Sequence, residues 1–151
     1  MIKNIFFIFL FFLFSSLAYA KKISIISDRL EIKRTDSLSI FSGNVYAIEG
    51  NLEIWSENLT IYSSKDEKSI EEINAQDNVK IKRQELSIEG DKAKYDPIND
   101  ILTVYGEVKV YQNGNIVSCN EIIVDLENSS SIMKSNSSKR VEALIISDDT
   151  N

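Results

Sequence analysis

Leu86-Ser87-Ile88-Glu89-Gly90-Asp91-Lys92-Ala93-Lys94-Tyr95-Asp96 decides how this chain folds. Leu86 and Ile88 alternate with polar residues, and so do Ala93 and Tyr95, which is the period-two pattern of a strand with one buried face. The two pairs are out of phase, because five positions separate Ile88 from Ala93. Strict alternation would turn the second pair to the wrong side of the sheet. An inserted residue at Gly90-Asp91 restores the phase, which is the signature of a bulge or corner where a strand bends sharply. The same slip separates Ile54 from Leu59, at Ser56-Glu57, and Val117 from Ile122, at Cys119-Asn120.

Working outward, the quoted stretch is the second half of a unit that occurs three times. The copies run from Gly43-Asn44-Val45 to Tyr62, from Asp77-Asn78-Val79 to Asp96, and from Gly106-Glu107-Val108 to Asp125, with a half copy at Ile25–Ile32. Val45, Val79 and Val108 are 34 and 29 residues apart, while Ile32, Ile61, Tyr95 and Val124 are 29, 34 and 29 apart. A period of this size marks a supersecondary unit that needs its neighbours to bury its apolar face. Helix signals are nearly absent after the first twenty residues. Ser63–Lys68 reads as a loop, and Asp96–Asp100 and Gln112–Asn115 as turns, with Asn113-Gly114 favouring a type I′ hairpin. Glu127–Arg140 is rich in Ser and Asn and reads as a loop, followed by a last strand over Val141–Ile146. Repeated corners in an antiparallel chain predict an all-β, curved two-sheet jelly roll of repeated antiparallel units.

The start of the chain reads as an export signal. Lys3 is followed by an apolar run from Ile5 to Phe14 and by Ala18-Tyr19-Ala20, a small-x-small cleavage site. The organisation expected is therefore a cleavable signal over 1–20, one domain over 21–146 and a flexible tail over 147–151. A signal kept as an anchor is the alternative. The formal net charge is −6, with 17 basic and 23 acidic residues and no His. Phosphate contacts dominate nucleic-acid affinity, so an acidic chain without a Lys/Arg cluster argues against that partner. Lacking His, the chain lacks the commonest general base and a common metal ligand. Cys119, the only cysteine, reads as a small buried apolar residue. Asp96, Asn99 and Asp100 surround Pro97 as turn residues, and no calcium-loop spacing is present. The sequence thus predicts no enzyme, no metal site and no cofactor.

Taken together, several pieces resemble the LptA (OstA-like) family of periplasmic lipopolysaccharide transport proteins. They are Ser27-Asp28-Arg29-Leu30-Glu31, Phe41-Ser42-Gly43-Asn44-Val45, Asp77-Asn78-Val79-Lys80-Ile81, Gly90–Asp96, Leu102-Thr103-Val104-Tyr105-Gly106-Glu107-Val108 and Arg140–Ile146. The resemblance implies an OstA-like β-jelly roll open at both ends, whose apolar interior shields acyl chains. It implies a periplasmic bridge between the two membranes in the Lpt transport complex, with lipopolysaccharide as cargo. LptC-like and LptD-like jelly rolls and head-to-tail copies of the chain are the implied partners. The fold also occurs in LptC, so an anchored LptC-like component is an alternative, as is a structural β-repeat scaffold that binds no lipid.

In the register of the repeats, the inward set is Ile23, Ile25, Leu30, Ile32, Phe41, Val45, Ala47, Leu52, Ile54, Leu59, Ile61, Ile73, Ala75, Val79, Ile81, Leu86, Ile88, Ala93, Tyr95, Leu102, Val104, Val108, Val110, Val117, Ile122 and Val124. Periodicity alone suits an ordinary packed core as well as a lipid groove. The candidate lipid-facing residues are Ile32, Phe41, Val45, Leu52, Ile54, Leu59, Ile61, Val79, Ile81, Ile88, Tyr95, Val104, Val108, Val110, Val117, Ile122 and Val124. An unprotected strand edge invites another strand. The candidate docking edges lie in Lys21–Ile32, with Ile23, Ile25 and Leu30, and in Val141–Ile146, with Leu144, Ile145 and Ile146. Lys80, Lys82, Arg83, Lys92 and Lys94 are expected to point outward. So is Trp55, covered by a loop or a neighbouring subunit.

Overall fold

The computed structural model describes residues 21–147, so the export signal expected over 1–20 lies outside the described residues, as does most of the tail. Alternation of apolar and polar residues yields ten strands: β1 (Ile23–Ile26), β2 (Arg29–Lys33), β3 (Leu38–Glu49), β4 (Leu52–Ser63), β5 (Ile70–Arg83), β6 (Leu86–Asp96), β7 (Ile101–Gln112), β8 (Asn115–Asp125), β9 (Ser130–Lys134) and β10 (Glu142–Leu144). They form one antiparallel sheet in the order β1-β3-β4-β5-β6-β7-β8-β10. β2 also pairs with β3, and β9 with β8. The sheet is open, since the strands at its two ends do not pair with each other.

Each of the six long strands runs through a corner. The register breaks at Ser42/Val45, Trp55/Asn58, Gln76/Val79, Glu89/Lys92 and Tyr105/Val108, at the same level across the sheet. On β4, β6 and β8 these breaks fall at the expected phase slips. Their counterparts on β3, β5 and β7 are consecutive left-handed residues: Gly43 (φ 79°) and Asn44 (47°), Asp77 (65°) and Asn78 (54°), Gly106 (78°) and Glu107 (41°). Glycine suits Gly43 and Gly106 for a second reason: a Cβ there would stand 3.0 Å from the Asp28 Cβ and 2.9 Å from the Asp91 Cβ, respectively. The first of these corners is pinned by Asn44 Nδ2 donating to Asp28 Oδ2 at 2.8 Å and by Asp28 N donating to the Gly43 carbonyl at 3.0 Å.

The corners fold the sheet into two facing layers. One holds β1, β10 and the halves of β3–β8 that meet at the turns at 50–51, 84–85 and 113–114. The other holds β2, β9 and the remaining halves. Asn113 (φ 51°) and Gly114 (φ 80°) are both left-handed, as a type I′ turn requires. The turns after β6 and β8 share one device. Asp96 Oδ1 accepts from the Ile98 and Asn99 amides, and Asp125 Oδ1 accepts from the Asn128 amide. The core lies between the layers and draws on both halves of every long strand.

Two expectations need correction. The Ser- and Asn-rich segment 127–140 is not all loop, because Ser130–Lys134 pairs with Asp125–Glu121 as β9. A strand at a sheet edge is held by backbone bonds, so Met133 packed on the core suffices as side-chain signal. The last strand is shorter than Val141–Ile146: Glu142–Leu144 pairs with Ser118–Ile116, and Ile145 and Ile146 lie exposed beyond it.

Candidate functional site

Register alignment turns the inward residues into rows that cross the strands. In the layer of β2 and β9, one row reads Leu30, Phe41, Leu59, Ala75, Ala93, Val104, Ile122, Met133. In the layer of β1 and β10, another reads Ile25, Ala47, Ile54, Ile81, Ile88, Val110, Val117, Ala143. Both are apolar from edge strand to edge strand. At the usual strand spacing each row extends roughly 33 Å. The row beside the first, Ile32, Ser39, Ile61, Ile73, Tyr95, Leu102, Val124, Ser131, is apolar except at Ser39, Ser131 and the Tyr95 hydroxyl.

Of the candidate interior residues, Val45, Leu52, Ile54, Leu59, Ile61, Val79, Ile81, Ile88, Tyr95, Val104, Val108, Val110, Ile122 and Val124 are buried in a single cluster. Phe41 and Val117 are partly buried against it. Ile32 and Leu30 are on inward rows but stand 59% and 50% exposed. Both sit on an edge strand, with no further strand beside them to complete the layer. The space left between Ile23, Ala47, Leu52, Ile54, Ile73 and Tyr95 is about 10 Å³, roughly the room one water needs. There the interior is filled by the protein's own side chains, whereas towards β9 a pocket of about 290 Å³ opens between the layers among Leu86, Ile122, Val124, Leu126 and Met133.

The edges are bare. Each of β1, β2, β9 and β10 pairs on one side only. Ile23 and Ile25 pack inward, so what β1 offers at its free side is backbone N–H and C=O groups together with the exposed Ile26. At the opposite end, Ile132, Leu144, Ile145 and Ile146 are exposed. Where β9 and β10 part from each other at the corner of β8, a cleft of about 590 Å³ opens among Glu107, Lys109, Ser135, Lys139, Arg140 and Glu142.

The side of the folded sheet opposite the corners, where the turns of the two layers meet, is polar. Tyr95 continues an apolar row, yet its hydroxyl lies 2.8 Å from Asp100 Oδ1 and 3.3 Å from Glu49 Oε1 across the layers. Lys21 Nζ reaches Asp100 at 2.6 Å, Glu49 at 3.5 Å and the Pro97 carbonyl at 3.1 Å. Burial, then the Asp100 carboxylate, pushes the Tyr95 phenol up. The bond from Lys21 holds Asp100 below the usual carboxylate range. Desolvation opposes the charge on Lys21, but its bonds to Asp100 and Glu49 outweigh that and leave its pKa raised.

Arg83 corrects an expectation. It lies on an inward row with Glu49 and Leu52, not on the outer face, and donates to the Leu126 carbonyl at 2.8 Å and to Asn51 Oδ1 at 3.3 Å. Trp55 does point outward, but its cover comes from its own sheet: the Tyr46 ring at 5.2 Å and the Lys82 ammonium at 5.8 Å. Sequence reading missed Lys21, Glu49 and Asp100. The available signal was a tyrosine standing where two other copies carry Ile61 and Val124, since a buried phenol calls for a polar partner. Cys119 is buried, and burial raises its thiol pKa. Among the described residues no cluster of His, Cys, Asp and Glu could hold a metal ion.

The family described as "LptA/(LptD N-terminal domain) LPS transport protein" matches residues 24–130, well over half of the chain. No curated protein matches it in sequence. Among solved structures, the fold is similar to that of LptH, described as the LptA-homologous periplasmic component of the conserved lipopolysaccharide transport device from Pseudomonas aeruginosa. The TM-score is 0.76 over 84% of this chain and 96% of that one, at 14% identity. Family and fold are those of lipopolysaccharide transport proteins rather than of enzymes. An open, corner-bearing antiparallel jelly roll that matches this family over most of its described length belongs to the LptA/LptD N-terminal domain family of lipopolysaccharide transport proteins.

Proposed function

We propose that this protein is a periplasmic bridge subunit that carries lipopolysaccharide from the inner toward the outer membrane, with the acyl chains held between its two layers. The observation that carries the reading is the pair of apolar rows that run unbroken from edge strand to edge strand, one in each layer. They form a track along the strand-stacking direction, and a second jelly roll joined edge to edge would continue it. Each acyl methylene moved from water onto such a track contributes about 0.8 kcal/mol, whatever the chain's length or branching. Binding of this kind needs neither a nucleotide nor a reacting residue. The bare edges supply the joints: β1 and β2 at one end and β9 and β10 at the other suit LptC-like and LptD-like jelly rolls, or further copies of this chain, by strand addition.

The lipid half of this reading is tested by mass spectrometry of the purified mature chain after incubation with lipopolysaccharide. Retained lipid is expected, with photo-crosslinks from p-benzoylphenylalanine placed at Phe41. The filled interior around Leu52 and Tyr95 favours one competing reading, a closed-core scaffold, and retention of no lipid would support it. The joint is tested separately. Ile25→Pro would also break the Ile25–Ala47 pair inside the domain, so Ile145→Pro, beyond the end of β10, is the cleaner change. Assembly unchanged in size-exclusion chromatography would sink the docking role of that edge.

A further inference from the structure

The polar side of the folded sheet is where the two layers would have to part for a lipid to enter. We propose that Lys21, Glu49, Tyr95 and Asp100 form a latch that holds the β3–β6 end of this mouth shut, and that its release extends the opening beside Leu86 and Ile122 into a lateral route by which an acyl chain reaches the interior. This inference rests on the lipid-carrier reading above.

Glu49 ends β3 in one layer, whereas Tyr95 and Asp100 belong to β6 and its following turn in the other. The bonds among them therefore span the mouth rather than a strand pair. Lys21 lies outside every strand and bonds to both layers at once, to Glu49 and to Asp100. On the far side, the layers are joined covalently through the corners, so parting them at the mouth is a hinge motion that leaves the strand ladders intact.

The latch is incompletely satisfied. A phenol has one proton, so Tyr95 can donate to Asp100 or to Glu49 but not to both. Glu49 Oε2 is buried and has no hydrogen-bond partner among the described residues, in a side chain only 12% exposed. A buried oxygen without a partner costs free energy that opening to water would return. One ammonium is shared between two carboxylates, and the Arg83 guanidinium acts on Asp100 without bonding to it. These features suit a contact that closes firmly enough to keep the interior dry and still opens. A permanent seal would have been built from apolar residues or a complete network.

The experiment uses the mature chain with Cys119→Ala and spin labels at Glu85→Cys and Ile98→Cys, exposed turn positions on opposite layers. Tyr95→Phe keeps the ring and removes the hydroxyl. The inter-label distance distribution is expected to lengthen and broaden. Uptake of BODIPY-labelled palmitate is expected to quicken roughly tenfold, the factor that corresponds to loss of one hydrogen bond to a charged partner. Lys21→Met, at a side chain 46% exposed, should act in the same direction and decides the matter if Tyr95→Phe does not fold. Unchanged distances, or unchanged uptake by a protein that does bind the probe, would overturn the latch. Separated labels with no uptake by any variant would instead overturn the lipid-carrier reading and leave the latch standing.

Discussion

Replacing Gly106 with Ala tests whether the corners, rather than strand pairing alone, determine this fold. Gly106 has φ 78°, and the left-handed region costs an L-residue about 1–2 kcal/mol. Alanine recovers about 0.4–1 kcal/mol of that by restricting the unfolded chain. Gly50, with φ 60° in the turn between β3 and β4 and nothing within 4 Å of its missing Cβ, isolates these two terms. Gly50→Ala should therefore cost about 1 kcal/mol or less. At Gly106 the new methyl would also meet the Asp91 Cγ at 2.8 Å and Cβ at 2.9 Å. A carboxylate can swing aside, but a Cβ moves only with its backbone, and Asp91 lies in the bulge of β6. Overpacking of this kind adds about 1–3 kcal/mol, so Gly106→Ala should cost about 2–4 kcal/mol in all. Urea unfolding followed by the fluorescence of Trp55, the only tryptophan, measures both variants. Asp91→Gly should return the overpacking part when combined with Gly106→Ala, a coupling of about 1–3 kcal/mol in a double-mutant cycle. A Gly106→Ala variant no less stable than Gly50→Ala, or a cycle without coupling, would refute the assignment of a steric corner.

Three further outcomes follow from the same geometry. Leu59→Ala, at a fully buried position on an inward row, should cost about 2–5 kcal/mol in the same unfolding assay. Asp100, Asp96, Asp125 and Glu72 all have lowered pKa values, through bonds first from Lys21, Asn99, Asn128 and Lys94 respectively. A folded pKa below the unfolded one gives stability that is fully present above the unfolded value and is lost as pH falls through the folded value. The urea midpoint should therefore be level between about pH 5 and pH 9 and fall below about pH 4, with a shallower fall in Asp125→Asn. Cys119, buried and with its thiol pKa raised by burial, should resist Ellman's reagent in the native protein and react on unfolding.

The corners were legible because a phase slip is a local property of a sequence: Ile88 and Ala93 cannot share a face without an inserted residue, wherever the strand lies. Their counterparts at Gly43-Asn44, Asp77-Asn78 and Gly106-Glu107 stood in the sequence as the repeated start of each copy, though alternation does not reveal left-handed backbone. β9 was not legible, because Ser130-Ser131-Ile132-Met133-Lys134 has little strand pattern and owes its conformation to the free edge of β8. The position of Arg83 was legible but misread, since it stands two residues beyond Ile81 in the inward phase and only its charge suggested the outer face; the ladder from Glu49 through Leu52 places it at the mouth. The exposure of Leu30 and Ile32 follows from their being on an edge strand, a fact of topology rather than of residue type. Likewise the latch joins residues up to 79 positions apart, and only the folding of the sheet on itself brings them together.

The filled interior bears directly on how such a carrier would work. About twelve acyl methylenes transferred from water are worth roughly 10 kcal/mol, which is comparable to the whole stability of a domain of this size, about 5–15 kcal/mol. If acyl chains simply added that contact to an intact core, binding would be nearly irreversible and the lipid could not be handed on. In this structure the ready space is the pocket of about 290 Å³ beside Leu86, Ile122, Val124 and Met133, so a chain reaching further between the layers must displace packing within the cluster that holds Leu59, Ile88 and Val104. The net gain is then the difference between two apolar packings, together with the release of the unpartnered Glu49 oxygen to water. A difference of that kind is small enough to be reversed at the next jelly roll, whose rows offer the same exchange. Self-packing of the interior is thus compatible with the proposed carriage, for which it would keep the affinity low enough for transfer from one subunit to the next.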